Sequence, residues 1–353
     1  MGIIVVPIAI GTPLYIIFLF SKVSQLCYFI KPFCKMDPWQ FIHDKLNTSV
    51  NVILLYVVHS KGSSPGRQGF KMAVAADNSF CGSIGGGIME HKFVEMAKAM
   101  LQENTATTGI YRQMHDKEAG KNKSGMICSG EQTIFLYKLQ VSDLEYIKAL
   151  LNSLQLNKNG LLRLSNSGFL FLNEIPEQNF YFEQKNETGF SLTEKTGYKN
   201  ILHIIGGGHC ALALSKLMLG MGFYIKVYDE RQGLNTIDQN NYAHEKIIVP
   251  SYSGLEKIIE SGNNVYVVIM TLGYRTDDLA VKALLKKTFK YIGLLGSKKK
   301  AKKMFEEYKA ENINDALLNK IHSPAGIAIK SETPEEIAIS IAAEIIAVKN
   351  QPQ

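Results

Sequence analysis

The sequence predicts an α/β protein whose C-terminal part is a parallel sheet covered by helices, joined to a smaller N-terminal α+β domain. Three observations lead there. The chain has 353 residues, and at about 150 residues per domain that suggests two domains. From residue 201 onward, short apolar runs alternate with helical stretches, the pattern of a parallel sheet with both faces covered. One of those runs, ILHII at 201–205, passes directly into a small-residue turn that opens a helix.

Composition narrows the classes. Hydrophobic residues make up 46% and charged residues 20%, so a full core can form without disulfides. Glycine and proline show no period, which excludes a collagen-like or wholly disordered chain. The net charge of +7 is mild; it suits an anionic small ligand and does not argue for nucleic acid. Cysteines at 27, 34, 81, 128 and 210 form no C-x-x-C pair. That pattern argues against an oxidised secreted scaffold and against a clustered zinc site.

Residues 1–35 stand apart. The run 3–20 carries no charge, and eighteen apolar-dominated residues reach the threshold for a membrane-spanning helix. No basic residue precedes it and no small-residue cleavage pattern follows, so a signal peptide fits badly. Two readings stand: a start assigned too far upstream, or a membrane anchor. Lys22, Lys31 and Lys35 follow the run, so an anchor would leave the body in the cytoplasm. Asp37, Pro38 and Gln40 form a helix-capping signature, which marks a natural domain start near Met36. Both readings place the body in the cytoplasm.

In the body, 37–47 reads as a helix, 51–58 and 70–75 as strands, and 88–102 as a helix. Short strands are expected near 107–114, 125–128 and 133–139, a helix at 141–155, and strands near 160–173 and 178–184. These elements form an N-terminal domain over 36–185. Residues 186–200 are polar and read as a linker or edge segment. Residues 201–350 form the second domain, with strands at 201–205, 223–229, 246–249, 264–270 and 291–295. Its helices are expected near 209–220, 253–260, 275–287, 298–309 and 333–347.

The turn Gly206-Gly207-Gly208-His209-Cys210-Ala211 fits G-x-G-x-x-A. Its small residues permit a tight turn, close backbone approach to a phosphate and tight helix packing, and the helix start offers unpaired N–H groups. Asp229 ends the next strand, where an acid can bind a ribose hydroxyl. Strand, turn, helix, strand and acid in this order make the second domain Rossmann-like. His209 could face bound phosphate or simply open the helix.

Other loops carry polar groups. Ser63, Ser64 and Arg67 lie in a glycine-rich loop between two strands, and Arg67 could clamp a phosphate. Gly85, Gly86 and Gly87 precede a helix and could form an anion nest; Glu90 in its first turn could cap it or orient a ligand. Cys128 precedes a Ser-Gly turn. As a thiolate it could hold a soft metal, and as a thiol it would be a small buried hydrophobe. Thr271, Asp277 and His322 lie at the carboxyl edge of the predicted sheet. Lys298, Lys299 and Lys300 read as a solvated face. No G-x-S-x-G elbow, H-E-x-x-H or Walker A lysine occurs.

Several strings resemble the XdhC/CoxI family, accessory proteins of molybdenum hydroxylases such as xanthine dehydrogenase. They are GSSPGRQG (62–69), GSIGGGIME (82–90), MICSG (126–130), HIIGGGH (203–209), VYDER (227–231), YIGLLGSKKK (291–300), HSPAGIAI (322–329) and ETPEEIAISIAAEI (332–345). The resemblance spans roughly 40–347. It implies a chaperone that binds the molybdenum cofactor in its molybdopterin form, promotes its sulfuration and delivers it to an apo-hydroxylase. It also implies a cysteine desulfurase-type sulfurtransferase as partner, a homodimer, and a cleft shared by the two domains. Cys128 matches the family cysteine in an M-x-C-G-G-like motif, which implies a place at the metal or its sulfur. Arg67, the 85–87 glycines and the 206–208 glycines become candidates for the pterin phosphate or an attached nucleotide. Two departures stand out: Ser129 replaces a frequent Gly, and Leu272 replaces the His of a Thr-His pair. The competing functions are an NAD(P)-dependent oxidoreductase using the 206–211 turn and a regulatory nucleotide-binding protein.

Overall fold

A computed structural model describes residues 37–103, 108–114, 130–184 and 189–351. The uncharged run at 3–20, the strand expected at 125–128, and Cys128 with its neighbour Ser129 lie outside the described residues.

The N-terminal half opens with helix α1 (Pro38–Asn47), capped by the Asp37 carboxylate, which accepts the Trp39 N–H. Strands β1 (Val52–Gly62), β2 (Lys71–Ala75) and β3 (Phe80–Gly82) follow, then helix α2 (Gly87–Gln102), β4 (Gly109–Met114) and β5 (Gly130–Lys138). They form an antiparallel sheet in the order β3-β2-β1-β5-β4. β1 is buried without a break from Val52 to Val58 because both its faces are covered. Successive side chains point to opposite faces: Ile53, Leu55 and Val57 pack on α2 through Phe93 and Ala97. Val52, Leu54 and Tyr56 pack with Leu162, Phe190 and Leu192 in a separate core.

That second core brings in helix α3 (Leu144–Gln155) and strands β6 (Gly160–Ser165), β7 (Gly168–Leu172), β8 (Phe180–Gln184) and β9 (Phe190–Thr196). They form a sheet in the order β7-β6-β9-β8. Residues 190–196 are thus an inner strand, paired with β6 on one side and β8 on the other. The linker or edge expected over 186–200 is corrected there. Phe190, Leu192, Glu194 and Thr196 alternate inward, and the polar composition hid that alternation because two of the four inward residues are themselves polar.

The C-terminal half is regular. It comprises β10 (Asn200–Ile205), α4 (His209–Gly220), β11 (Phe223–Asp229), α5 (Asn235–Asp238), β12 (Glu245–Ile248), α6 (Leu255–Ile258), β13 (Gly262–Ile269), α7 (Tyr274–Leu284), β14 (Phe289–Leu294), α8 (Lys298–Ala310), α9 (Asp315–Leu318), β15 (Ile321–His322) and α10 (Pro334–Lys349). All six strands are parallel, in the order β12-β11-β10-β13-β14-β15. Counted from β10, this is the 3-2-1-4-5-6 order of a Rossmann sheet. α4 and α10 close one face around Leu214, Met218 and Ile341. α6, α7 and α8 close the other around Leu255, Leu284 and Met304. Thr333 caps α10 in a reciprocal pair with Glu336, with Pro334 in the first turn. No helix among the described residues is long and apolar enough to cross a membrane.

Candidate functional site at the carboxyl edge

Strand order reverses between β10 and β13, and ligands of such sheets bind in the crevice beyond the strand ends at that point. The glycine turn sits there. Gly206 has φ +109°, and a Cβ on it would lie 2.4 Å from the Met270 carbonyl oxygen at the end of β13. Only glycine lets the two strand ends approach this closely. A Cβ at Gly208 or Gly273 would meet nothing within 4 Å, so space lies open at the start of α4 and on the far side of the crevice.

Asp229 holds the turn from β11. Its carboxylate is fully buried and accepts the Gly207 N–H at 2.7 Å, the Arg231 N–H at 2.9 Å, and the Arg231 guanidinium through Nε and Nη2 at 2.8 Å each. Burial alone would raise its proton affinity. Arg231 and the two backbone N–H groups outweigh that and hold the carboxyl below the usual aspartate range. The expected ribose acid is therefore committed to the turn and to Arg231, and a ribose would have to displace Arg231 to reach it. Thr236 also donates its hydroxyl to the Gly207 carbonyl.

Across the crevice, Asp277 in the first turn of α7 is fully buried. It accepts the Thr271 N–H at 3.1 Å and the Thr271 hydroxyl at 2.6 Å, and pairs with Lys300. Thr276 Oγ1 lies 2.6 Å from Thr271 Oγ1. Lys300 also donates to the Leu295 carbonyl at 3.3 Å. Lys300 thus leaves the solvated face expected for the lysine run. Ser297 caps α8 by accepting the Lys300 N–H, and that cap starts the helix so that its third residue turns back over Gly296 towards Asp277. The Gly296-Ser297 pair was the available signal. Farther along the edge, His322 Nδ1 lies 3.0 Å from Glu344, which also accepts the Tyr291 hydroxyl and the Gly326 N–H. Burial pushes the Glu344 carboxyl up, but these three donors prevail and keep it below its ordinary range. Nothing in the sequence points to Glu344, whose partners lie on β14, on β15 and in the loop that follows it. Nor does it point to Arg231, whose fork onto Asp229 depends on how the chain turns after β11.

His209 is exposed and borders a cavity of about 430 Å³ with Leu212, Pro334 and Glu335. This lies on the outer side of α4, among residues of α10.

The N-terminal loops form a second cluster. Gly66 and Gly85 lock the 62–69 and 82–87 loops together: a Cβ on Gly66 would lie 2.0 Å from the Ile84 carbonyl oxygen, and one on Gly85 2.5 Å from the Gly66 nitrogen. Ser64 is buried and donates to the Gly66 carbonyl at 2.6 Å and to Gln132 at 3.0 Å. Gly130 packs against Ser63 and Ser64. Ser63 and Arg67 are exposed, and Arg67 donates to the Gly62 carbonyl at 2.7 Å. The glycine nest already holds an anion of the chain's own. Glu90 accepts the Ile84 N–H at 2.9 Å, the Gly86 N–H at 3.0 Å and the Ser83 hydroxyl at 2.7 Å. Gly87 opens α2.

The two halves meet at the amino edge of the parallel sheet. The Asn159 amide donates to the Tyr198 carbonyl at 3.0 Å, and the Tyr198 hydroxyl lies 2.7 Å from His244 Nε2. No described hydrogen bond links the 62–90 loops to the 206–211 turn. Among the described residues, no group of three or more His, Cys, Asp or Glu side chains is placed to hold a metal ion.

The fold and this edge define a two-part protein with a Rossmann-type ligand crevice and a separate loop-bearing α+β half. Comparison with known families agrees with that division. The model of the XdhC Rossmann domain matches residues 202–345, and that of the XdhC and CoxI family matches 46–112. The chain belongs to the XdhC/CoxI family. Its relatives include the uncharacterized protein YqeB of Escherichia coli (strain K12), 25% identical over 297 residues, which cover 83% of this chain. The chain spans 43% of the length of YqeB. A probable xanthine dehydrogenase subunit from Bacillus subtilis (strain 168) is 22% identical over 324 residues, covering 87% of this chain and 96% of that protein. The crystal structure of a xanthine dehydrogenase from Bacillus halodurans shares the fold, with a TM-score of 0.65 and 24% identity, over 90% of this chain and 97% of that one.

Proposed function

We propose that this chain is a maturation factor for a xanthine dehydrogenase-type molybdenum hydroxylase. It binds the molybdenum cofactor as cargo, keeps it available for sulfuration by a cysteine desulfurase-type partner, and passes it to the apo-enzyme. The observation that carries this reading is the glycine turn at the switch point of the sheet. Its open positions at Gly208 and Gly273 and the start of α4 suit the phosphate or nucleotide end of a pterin cofactor. Family membership supplies the direction, from a generic phosphate crevice to molybdenum hydroxylase maturation. Cys128 would meet the metal or its sulfur, because a thiolate suits a soft metal–sulfur centre. The protein acts in the cytoplasm, as a homodimer.

The oxidoreductase reading is weaker for a specific reason. A nicotinamide dinucleotide uses the acid after the second strand for its ribose, and here Asp229 is saturated by Gly207 and Arg231.

Reconstitution tests the proposal. Molybdenum cofactor is added with this protein to apo-xanthine dehydrogenase, and hydroxylase activity and cofactor retention are measured, then repeated with Cys128→Ala. Activation by the unmutated protein and its loss in a folded variant are expected. No cofactor binding and no activation would sink the proposal.

A further inference from the structure

A cavity of about 380 Å³ lies between the two halves, away from the carboxyl edge. The N-terminal half contributes Lys71, Glu194 and Thr196 to it, the connecting segment Lys199, and the C-terminal half Met221 and Lys349. Met221 follows the last turn of α4, and Lys349 ends α10, so both mark the amino edge of the parallel sheet.

Its charges do not balance. The Glu194 side chain is 8% exposed and lies 3.0 Å from Lys199 Nζ and 3.8 Å from Lys71 Nζ. It also accepts the Tyr56 hydroxyl. Asp37 lines the cavity too, exposed to solvent and engaged as the cap of α1. Among the described residues, three ammonium groups thus face two carboxylates. The Lys71 and Lys199 side chains are only 21% and 24% exposed. Aromatic rings take up part of their contact surface: Lys71 lies over Trp39 and Lys199 over Phe180, at 5.2 and 3.7 Å from the ring centroids. Rings stabilise a cation without supplying negative charge, and a partly buried excess charge favours a bound counter-ion. Among the described residues Lys349 has no ion-pair partner. The Thr196 hydroxyl, on a residue 6% exposed, finds no hydrogen-bond partner there either.

We propose that this cavity binds a small oxyanion, a phosphate or carboxylate group, which bridges Lys71 of the N-terminal half and Lys199 of the connecting segment to Lys349 of the C-terminal half. The site is independent of the carboxyl-edge crevice and of the molybdenum reading. Its occupant ties the two halves together, so its concentration tunes how firmly they are held to one another.

The chain contains one tryptophan, Trp39, and it lines this cavity. Its emission is therefore a direct probe on the full-length protein. Inorganic phosphate and sodium acetate are titrated separately, with sodium chloride at matched ionic strength as control. A saturable change with either oxyanion and none with chloride is expected. Lys349→Gln, outside the Glu194 cluster and so least harmful to folding, should weaken binding by about two- to fivefold, the size of one solvent-exposed ion pair. Lys302→Gln, on the exposed side of α8, should leave binding unchanged. No saturable change up to about 50 mM, far above the millimolar affinities of weak specific ligands, overturns the proposal. So does equal binding by Lys349→Gln and the unmutated protein.

Discussion

Replacing Asp229 with alanine separates two roles for the same carboxylate. As a ribose ligand it would matter only when nucleotide is bound. The structure instead makes it the anchor of the glycine turn, through the Gly207 N–H and three donors of Arg231. In Asp229→Ala the Gly207 N–H is left buried without its partner, which costs about 1–3 kcal/mol. The charge-assisted pair with Arg231 is lost as well. The Asp229 side chain is fully buried while that of Arg231 is 41% exposed, so the guanidinium can return to water and its loss adds only about 1 kcal/mol. The total is about 2–4 kcal/mol, with no ligand present. Urea unfolding followed by far-UV circular dichroism measures it, with the midpoint falling and the slope unchanged. Asp229→Asn should fall between the two, because one amide oxygen can still accept the Gly207 N–H. A loss below about 0.5 kcal/mol, the range of an ordinary surface substitution, would refute the anchoring argument and restore Asp229 as a ligand-only residue.

Three further outcomes follow from the same structure. Lys300→Met should destabilise by about 3–5 kcal/mol, because it strands the buried Asp277 carboxylate. Lys299→Met should change stability by less than about 0.5 kcal/mol, and equal effects in the two melts would return Lys300 to the solvated face. Gly206→Ala should cost at least about 3 kcal/mol, since it combines an unfavourable φ with contact against the Met270 carbonyl; a soluble variant with an unchanged melting point would contradict that geometry. His203 is buried in β10, beside Tyr228 and Lys226, and burial followed by the Lys226 charge lowers its pKa to about 4. Its folded pKa lies below the unfolded value near 6.5, so its contribution is intact above about pH 6.5 and is lost as pH falls towards 4. The loss is about 3 kcal/mol. Unfolding measured across that window should show a shallower decline in His203→Gln, and an unchanged pH slope would discount the burial effect.

Much of the second half was legible because its signals are local. A strand, a glycine turn, a helix and an acid at the next strand end need only a few dozen consecutive residues. Gly206 at the turn could be read directly, since a tight turn with a positive φ is a property of adjacent backbone. The polar segment at 186–200 misled because strand β9 turns two polar residues inward, Glu194, which meets Lys71, Lys199 and Tyr56, and Thr196. Its inward alternation is visible only once the partners are known. The lysine run misled for a similar reason: three adjacent identical residues differ only in which way the helix turns them.

Hydrophobic period and turn chemistry act over neighbouring residues. They were enough to set the two-part organisation, the parallel C-terminal sheet and the position of its glycine turn. The use of each polar group was settled by packing in three dimensions. Asp229 went to Gly207 and Arg231, Glu90 filled the nest that precedes its own helix, and Lys300 turned inward to Asp277. A buried charge is stabilised by whatever donors the fold places around it, and those donors come from loops and strands that the order of residues does not put side by side.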